Sequence, residues 1–306
     1  MHSEPTATIP IWSATPTPLD DSFKVNLEDV RRLMQHHIDS GISGVMLAGT
    51  SGEGPWLPNA EIERLVAAAA DAAGKDLKIA AQVSDNSANR ILENIDRAAK
   101  AGAQYAVIAP PYYLMNASPE NLLRLYRTAI RESGLPVIIY NIGGRQIVLT
   151  AEILEEIYAE PNVVMVKDSS ADPRTRSAAL KAQKTRPELK VLTGDEFKVI
   201  DHLEAGGAGM MLGGAALTGR MNAMLVNSFM KGDKAGAHEW QSRINSFLLT
   251  IYGGPEIPCW LPGLKYALVR LGVFSSWSHT LNYPFGEDQR QQIDRAIATE
   301  RSQILG

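Results

Sequence analysis

Residues 136–170 read PVIIYNIGGRQIVLTAEILEEIYAEPNVVMVKDSS and contain two apolar runs separated by a helical stretch. The runs cover residues 136–141 and 163–167, and the stretch with helical spacing covers residues 150–158. Each run is continuously apolar rather than alternating, which is typical of parallel strands covered on both faces. This stretch therefore predicts a strand, a helix and a second strand parallel to the first.

The same succession of strand, loop and helix recurs along most of the chain. Six further apolar runs have strand length and lie at residues 9–15, 44–49, 77–83, 105–109, 190–193 and 208–213. Helical spacing covers residues 27–38, 59–73, 87–101, 118–133, 172–184, 196–205 and 216–230. Residues suited to cap or stop helices stand at the ends, namely Asn59, Ser87, Ser118 and Thr150 before them and Gly41, Gly74, Gly102 and Gly134 after them.

About eight such units in a row predict an α/β fold, a (β/α)8 TIM barrel. An open, doubly wound sheet is the competing architecture, because alternation alone does not prove closure. After residue 230 three helical stretches follow without a convincing strand, at 233–252, 264–271 and 287–303, with breaks at 253–255 and 258–263. We expect a catalytic barrel in residues 1–230 and a helical extension in residues 231–306.

Composition and charge narrow the classes of function. The formal net charge is −4 and no basic run occurs, which argues against nucleic acid and anionic membranes as partners. The one cysteine, Cys259, is compatible with a reducing compartment, and no secretory signal or run of about 20 apolar residues is visible, so we expect a cytoplasmic protein. His36 and His37 point to different sides of a helix, and the histidines predict no metal site.

Lys167 is the most informative polar residue, because barrel chemistry lies at the carboxyl ends of the strands. It closes the apolar run 163–166, so its stem should lie among apolar side chains. Burial disfavours a charged ammonium, and a neutral amine is what attack on a ketone requires. The alternative is a structural lysine that pairs with Asp168 or Glu53. Tyr140 ends the preceding strand and is a candidate proton donor and acceptor, or else a core aromatic residue.

Other strand ends carry weaker signals. Residues 49–54 form a loop with three glycines and two hydroxyls, whose amides are suited to a carboxylate or phosphate or simply to a tight turn. Tyr112 and Tyr113 follow two prolines and are suited to a pocket wall, a subunit contact or surface packing. Arg145 lies in a Gly-Gly-Arg turn and is either an anion ligand or a solvated side chain.

Together these pieces resemble the dihydrodipicolinate synthase / N-acetylneuraminate lyase family, over nearly the whole chain. The matching motifs, in order, are Ala14-Thr15-Pro16-Thr17-Pro18, Gly49-Thr50-Ser51-Gly52-Glu53, Pro111-Tyr112-Tyr113, Tyr140-Asn141, Val166-Lys167-Asp168-Ser169-Ser170 and Gly194-Asp195.

The resemblance implies a role for each candidate residue. Lys167 would form an imine with a keto acid, and Tyr140 would be the general acid and base. Thr50 and Tyr113 would complete the proton relay, with Tyr113 reaching in from a neighbouring subunit. The keto-acid carboxylate would bind Thr50 and Ser51, and Arg145 would meet the second substrate. Further substrate contacts are expected at Gly194 and Met211. The resemblance also implies a homotetramer, a dimer of dimers, that uses no cofactor.

Three departures from the family pattern bear on the second substrate. Gly143 stands where a proline is usual, Gln146 and Ile147 follow Arg145, and residues 260–265 replace the usual tail motif. The leading hypothesis is an imine-forming synthase that joins pyruvate to aspartate semialdehyde. The alternative is an aldolase or dehydratase of a 2-keto-3-deoxy sugar acid or other 2-keto acid, although Arg145 argues against a neuraminate lyase. A non-catalytic keto-acid-binding barrel and a phosphosugar isomerase are other classes.

Overall fold

The computed structural model describes residues 9–114, 116–143 and 147–306. Its eight strands form one closed parallel barrel, in which each strand pairs with the next and the last pairs with the first. The open sheet considered from the sequence is therefore wrong, and the TIM-barrel prediction is confirmed. The strands are β1 (Ile11–Ser13), β2 (Gly44–Leu47), β3 (Lys78–Gln82), β4 (Tyr105–Ile108), β5 (Val137–Ile142), β6 (Val163–Ser169), β7 (Lys190–Thr193) and β8 (Gly209–Leu212).

A helix follows each strand. The helices are α1 (Leu27–Asp39), α2 (Asn59–Ala73), α3 (Ala88–Lys100), α4 (Pro119–Arg131), α5 (Ala151–Tyr158), α6 (Pro173–Thr185), α7 (Val199–Glu204) and α8 (Ala215–Met230). Ser87, Ser118 and Thr150 cap their helices, since each side chain accepts a hydrogen bond from a backbone N–H of the first turn. The prediction for Asn59 was wrong, because it is the first residue of α2 and Pro58 holds the cap position without a side-chain bond.

The alternation of side chains along each strand divides the core into two layers. One face points outward and packs under the helices, as Val166 of β6 does. The other face fills the barrel with a smaller cluster that includes Met46, Ile138, Tyr140, Met165 and Met211. Because strand side chains alternate with a period of two, Lys167 shares the inward face of β6 with Met165.

Three helices follow the barrel: α9 (Lys234–Tyr252), α10 (Trp260–Arg270) and α11 (Glu287–Leu305). The predicted break at 258–263 was partly wrong, because α10 already begins at Trp260. Pro262 lies in its first turn, where a missing backbone N–H leaves no bond unmade. A Cβ on Gly263 would lie 2.0 Å from the carbonyl oxygen of Ile251, so a glycine permits α10 to pack closely on α9.

Within the described residues, no helix combines the length and the apolar character that a membrane span requires.

Candidate active site

Lys167 and Tyr140 are neighbours across two strands. They are partners in the register of β5 and β6, and both strands place them on the inward face. Lys167 is only 5% exposed, and its Nζ lies 4.2 Å from the centroid of the Tyr140 ring. The two side chains that the sequence singled out as an amine and a proton carrier therefore meet inside the barrel.

The ion pairs considered as an alternative for Lys167 are not formed. The Glu53 carboxylate pairs instead with Lys265 of α10. Asp168 accepts hydrogen bonds from Asn141 Nδ2 at 3.2 Å and from the backbone N–H of Ser170 at 3.0 Å. Within the described parts of the chain Lys167 makes no ion pair, so its amine is not held by a carboxylate.

Asp168 follows the lysine directly and is largely buried. Burial raises the pKa of its carboxyl, while the hydrogen bonds from Ser170 and Asn141 and the charge of His202 act in the opposite direction. Its Oδ1 atom accepts both bonds, one from Asn141 of β5 and one from Ser170 just after β6, so Asp168 links the ends of these two strands.

A cavity of about 320 Å³ opens at the carboxyl ends of the strands, and Tyr140 but not Lys167 is among the residues that line it. Thr50 and Tyr140 both line it, so the structure brings these two predicted residues together. Much of the remaining wall is apolar and includes Trp56 and Ile142. The volume lies at the lower end of the range of small-molecule sites.

Tyr113 lies apart from this cavity in its own chain. The residue is 62% exposed, and its backbone N–H donates to Asn86 Oδ1 at 2.9 Å. The preceding residue, Tyr112, lines the cavity, and its hydroxyl accepts a hydrogen bond from Gln82 Nε2 at 2.9 Å.

A second cavity, of about 330 Å³, lies beside the first, against α2 and α3. Its polar wall includes Asp85 and Arg90, which form an ion pair with an N–O distance of 2.7 Å. None of the residues predicted as catalytic lines it. The two cavities have similar volumes, so the presence of Thr50 and Tyr140 in its wall identifies the first cavity as the candidate site.

The glycine-rich loop after β2 is a tight turn with its hydroxyls half-buried. The backbone N–H of Glu53 donates to the carbonyl of Thr50, and that of Gly54 donates to the carbonyl of Gly49, both at 3.2 Å. A Cβ on Gly54 would lie 1.9 Å from the carbonyl oxygen of Ala48, so the turn requires glycine there. A Cβ on Gly213, just after β8, would lie 3.1 Å from Ser51 Oγ. Ser51 therefore lies beside the end of β8.

Gly194 and Met211 occupy different parts of the barrel. The backbone N–H of Gly194 donates to the carbonyl of Asp168 at 2.7 Å, and a Cβ there would lie 3.0 Å from Lys167 Cε. Gly194 thus packs against the stem of the lysine. Met211 is fully buried in the barrel interior, and it is the register partner of Trp12 on the adjacent strand β1. The prediction for Arg145 concerns a residue outside the described part of the chain.

Sequence reasoning gave no role to Glu196, which follows β7. Its carboxylate accepts hydrogen bonds from the Tyr252 hydroxyl and from the backbone N–H of Gly214, both at 2.6 Å. Burial raises the pKa of the Glu196 carboxyl, while these hydrogen bonds and the charge of Lys167 lower it. The position of Glu196 at a strand end was the only signal in the sequence. Nothing there indicated that its partner would come from α9.

The described residues contain no cluster of histidine, cysteine and carboxylate side chains that could hold a metal ion.

Comparisons with known proteins identify the family of the chain. The sequence model of the Dihydrodipicolinate synthetase family matches residues 8–300. A 4-hydroxy-tetrahydrodipicolinate synthase of Synechococcus sp. (strain CC9605) is 31% identical over 230 residues, which cover 74% of this chain and 75% of the relative. One from Cereibacter sphaeroides (strain ATCC 17025 / ATH 2.4.3) is 29% identical over 276 residues, 90% of this chain and 92% of that protein.

Solved structures resemble the whole fold. A dihydrodipicolinate synthase from Bacteroides thetaiotaomicron superposes with a TM-score of 0.85 at 25% identity, covering 96% of this chain and 99% of that one. The prophage protein YagE of E. coli K12, solved in complex with pyruvate, gives a TM-score of 0.87 at 20% identity, with 96% and 98% coverage, and shows the fold alone. The chain belongs to the dihydrodipicolinate synthetase family, whose members are lyase-type enzymes.

Proposed function

We propose that this protein is a lyase or synthase in which Lys167 forms an imine with the keto group of pyruvate. The observation that carries the proposal is a buried lysine, at the carboxyl end of a barrel strand, whose amine faces Tyr140 and makes no ion pair in the described structure. The neutral form of an amine attacks a ketone, whereas a neighbouring carboxylate would stabilise the charged ammonium form. A buried amine without such a partner is therefore suited to the attack.

The chemistry follows from the properties of an imine. The Lys167 nitrogen adds to the keto carbon, and the carbonyl oxygen leaves as water after it is protonated. The protonated imine then accepts the electron pair released when the neighbouring carbon loses a proton, which yields an enamine. The enamine carbon attacks the carbon of an aldehyde, the aldehyde oxygen takes up a proton, and water releases the product from the lysine. Cleavage is the reverse sequence.

The other residues supply protons and orientation in this proposal. Tyr140, beside the Lys167 amine, moves protons to and from the reacting oxygens. Thr50 and Ser51 hold the pyruvate carboxylate, and Thr50 also belongs to the proton relay. As the family resemblance implies, Tyr113 would act on the site of a neighbouring copy in a homotetramer, and its exposed position outside the cavity lining of its own chain is compatible with that role.

For the second substrate we propose aspartate semialdehyde, with Arg145 meeting its carboxylate. The support is the name shared by relatives at 25–31% identity, 4-hydroxy-tetrahydrodipicolinate synthase. The alternative, cleavage or dehydration of a 2-keto-3-deoxy sugar acid or other 2-keto acid, uses the same imine.

One set of assays tests the proposal. The purified protein should couple pyruvate to aspartate semialdehyde, whereas a faster cleavage of sugar-derived keto acids would favour the alternative. Lys167→Ala should abolish both turnover and borohydride trapping of pyruvate, and Lys181→Ala, which changes an exposed lysine of α6, is the matched control. Full turnover in Lys167→Ala would refute the imine, and binding of pyruvate without an adduct would indicate a non-catalytic barrel.

A further inference from the structure

A buried ion pair joins the loop that follows β2 to the helical extension. The side chains of Glu53 and Lys265 have no exposed surface, and Glu53 Oε1 contacts Lys265 Nζ. Lys265 also donates to the carbonyl of Ser278 at 2.7 Å. The other carboxylate oxygen, Oε2, accepts from the backbone N–H of Thr280 and from its Oγ1, the latter at 2.7 Å.

The extension reaches Glu53 through a segment that we call the tail strap, residues 273–280. The strap is fixed by carboxylates of the barrel as well. Asp29 accepts from the backbone N–H of Ser275 at 2.6 Å and from its Oγ at 2.9 Å. Asp21 accepts from the Oγ atoms of Ser276 and Ser278, both at 2.9 Å. Hydrogen bonds to Asp29, Asp21 and Glu53 thus hold the tail strap at several points along its length.

Glu53 in turn determines the shape of the loop that carries Thr50 and Ser51. Its backbone is left-handed, with φ at 59°, a conformation that a residue with a Cβ retains only when its surroundings enforce it. Its N–H donates to the carbonyl of Thr50 and so closes the turn. The ion pair with Lys265 and the two bonds from Thr280 fix the Glu53 side chain. They thereby hold the Glu53 backbone in its left-handed conformation, three residues after Thr50.

The energetics of a buried ion pair favour a geometric role. Removing water from two charges offsets much of their attraction, so such a pair contributes little net stability compared with apolar residues of the same shape. Its directional bonds nevertheless fix one arrangement of the groups that they join. We propose that Lys265 and Thr280 are positioning residues that act through Glu53 to hold Thr50 and Ser51 against the substrate carboxylate, an inference that rests on the proposed function.

Two variants separate positioning from folding. The double variant Glu53→Gln with Lys265→Met removes both charges together, so neither is left buried without its partner. Thr280→Val removes only the hydroxyl bond to Glu53 and retains the shape of the side chain. Glu300→Gln is the matched control, because Glu300 forms an ion pair with Arg243 within the same extension but has no bond to the loop.

The first readout is the pyruvate concentration that gives half-maximal borohydride trapping. We expect it to rise about tenfold in the double variant and less in Thr280→Val, because a displaced loop weakens the grip on the carboxylate. The Glu300→Gln control should match the wild type. An unchanged half-saturation in both loop-directed variants, with circular dichroism that shows a folded protein, would overturn the inference.

The second readout does not depend on imine chemistry. Amide hydrogen exchange in the peptide that contains residues 49–54 should become about tenfold faster in the double variant and stay unchanged in the control, since the Glu53 and Gly54 amides report the closed turn. A wild type that fails to trap pyruvate contradicts the proposed function, whereas loop amides that exchange at the wild-type rate in both variants contradict the positioning role.

Discussion

At the scale of single residues, the proposed chemistry depends on the register between two neighbouring strands, β5 and β6. Tyr140 and Lys167 are register partners on β5 and β6, so the pleat directs both side chains to the same interior. A shift of either strand by one residue would turn its side chain toward the helices. The proximity of the two residues was predictable from the sequence, since each stands at the end of an apolar run on neighbouring strands.

Replacing Tyr140 with phenylalanine tests the proton-transfer role. Tyr140→Phe keeps the ring beside the Lys167 amine and removes only the hydroxyl, so we expect turnover to fall by about 10²–10⁴-fold, the usual effect of a positioned acid or base. Tyr126→Phe makes the same chemical change at a fully buried tyrosine of α4 and should leave turnover intact. An unaltered kcat of Tyr140→Phe, measured with pyruvate and aspartate semialdehyde as substrates, would remove Tyr140 from the mechanism.

A buried histidine makes the fold sensitive to acid. His37 bonds to Thr15 Oγ1 at 3.0 Å, and burial, together with the charge of His36, lowers its pKa well below 6.5. The unfolded chain binds a proton near pH 6.5 that the folded chain does not bind, so the free energy of unfolding should decrease as the pH falls below that value. The slope from this one group approaches about 1.4 kcal/mol per pH unit.

The variant His37→Gln removes this titration. Urea unfolding between pH 7 and pH 5 should therefore show a shallower loss of stability in His37→Gln than in the wild type. Equal slopes in the two proteins would mean that His37 does not carry the acid sensitivity.

At the scale of elements, the strands and three of the four predicted helix caps, at Ser87, Ser118 and Thr150, were predictable because their signals are local. The strand from Lys190 to Thr193 agrees with the prediction at both ends, and Thr150 caps α5 as expected. The start of α10 was not predictable in this way. Proline and glycine normally indicate a break, and the reason for Gly263 is a contact with Ile251, 12 residues earlier on another helix. A close approach of two helix backbones at a single residue leaves no periodic trace in the sequence.

The contact at Gly263 gives a prediction about the joint between α9 and α10. Gly263→Ala places a methyl group 2.0 Å from the Ile251 carbonyl oxygen, so we expect a loss of about 1–3 kcal/mol in the free energy of unfolding. Gly286→Ala adds the same methyl group where no atom lies within 4 Å and serves as the control. Equal urea midpoints for the two variants would show that α10 can shift without cost.

At the scale of the whole molecule, the helical extension contacts the loops that follow β2 and β7. Lys265 contacts Glu53 from 212 residues away in the sequence, and Tyr252 contacts Glu196 from 56 residues away. Charge spacing along the chain contains no information about such pairings, which is why the sequence missed them. The sequence also left the second substrate open, since Gly143, Gln146 and Ile147 depart from the family pattern on that side of the site. The residue proposed to meet that substrate, Arg145, lies outside the described residues.

The proposed sharing of Tyr113 between copies predicts complementation. Lys167→Ala and Tyr113→Phe should each be nearly inactive alone, because each lacks one group in every site. In a two-fold interface each copy contributes its Tyr113 to the site of the other copy. Random exchange makes about half of the dimers mixed, and one of the two sites in each mixed dimer is complete, so about one site in four should regain activity. A mixture that stays as inactive as its components, although the copies are seen to exchange, would place Tyr113 outside the neighbouring site.

The most direct test of the account is to locate the covalent adduct after the wild-type protein is treated with pyruvate and borohydride. Digestion and mass spectrometry should find the reduced adduct on Lys167, in the peptide that contains Asp168 and Ser169, and nowhere else. An adduct on another lysine, with Lys167 unmodified, would contradict the imine chemistry proposed for this barrel.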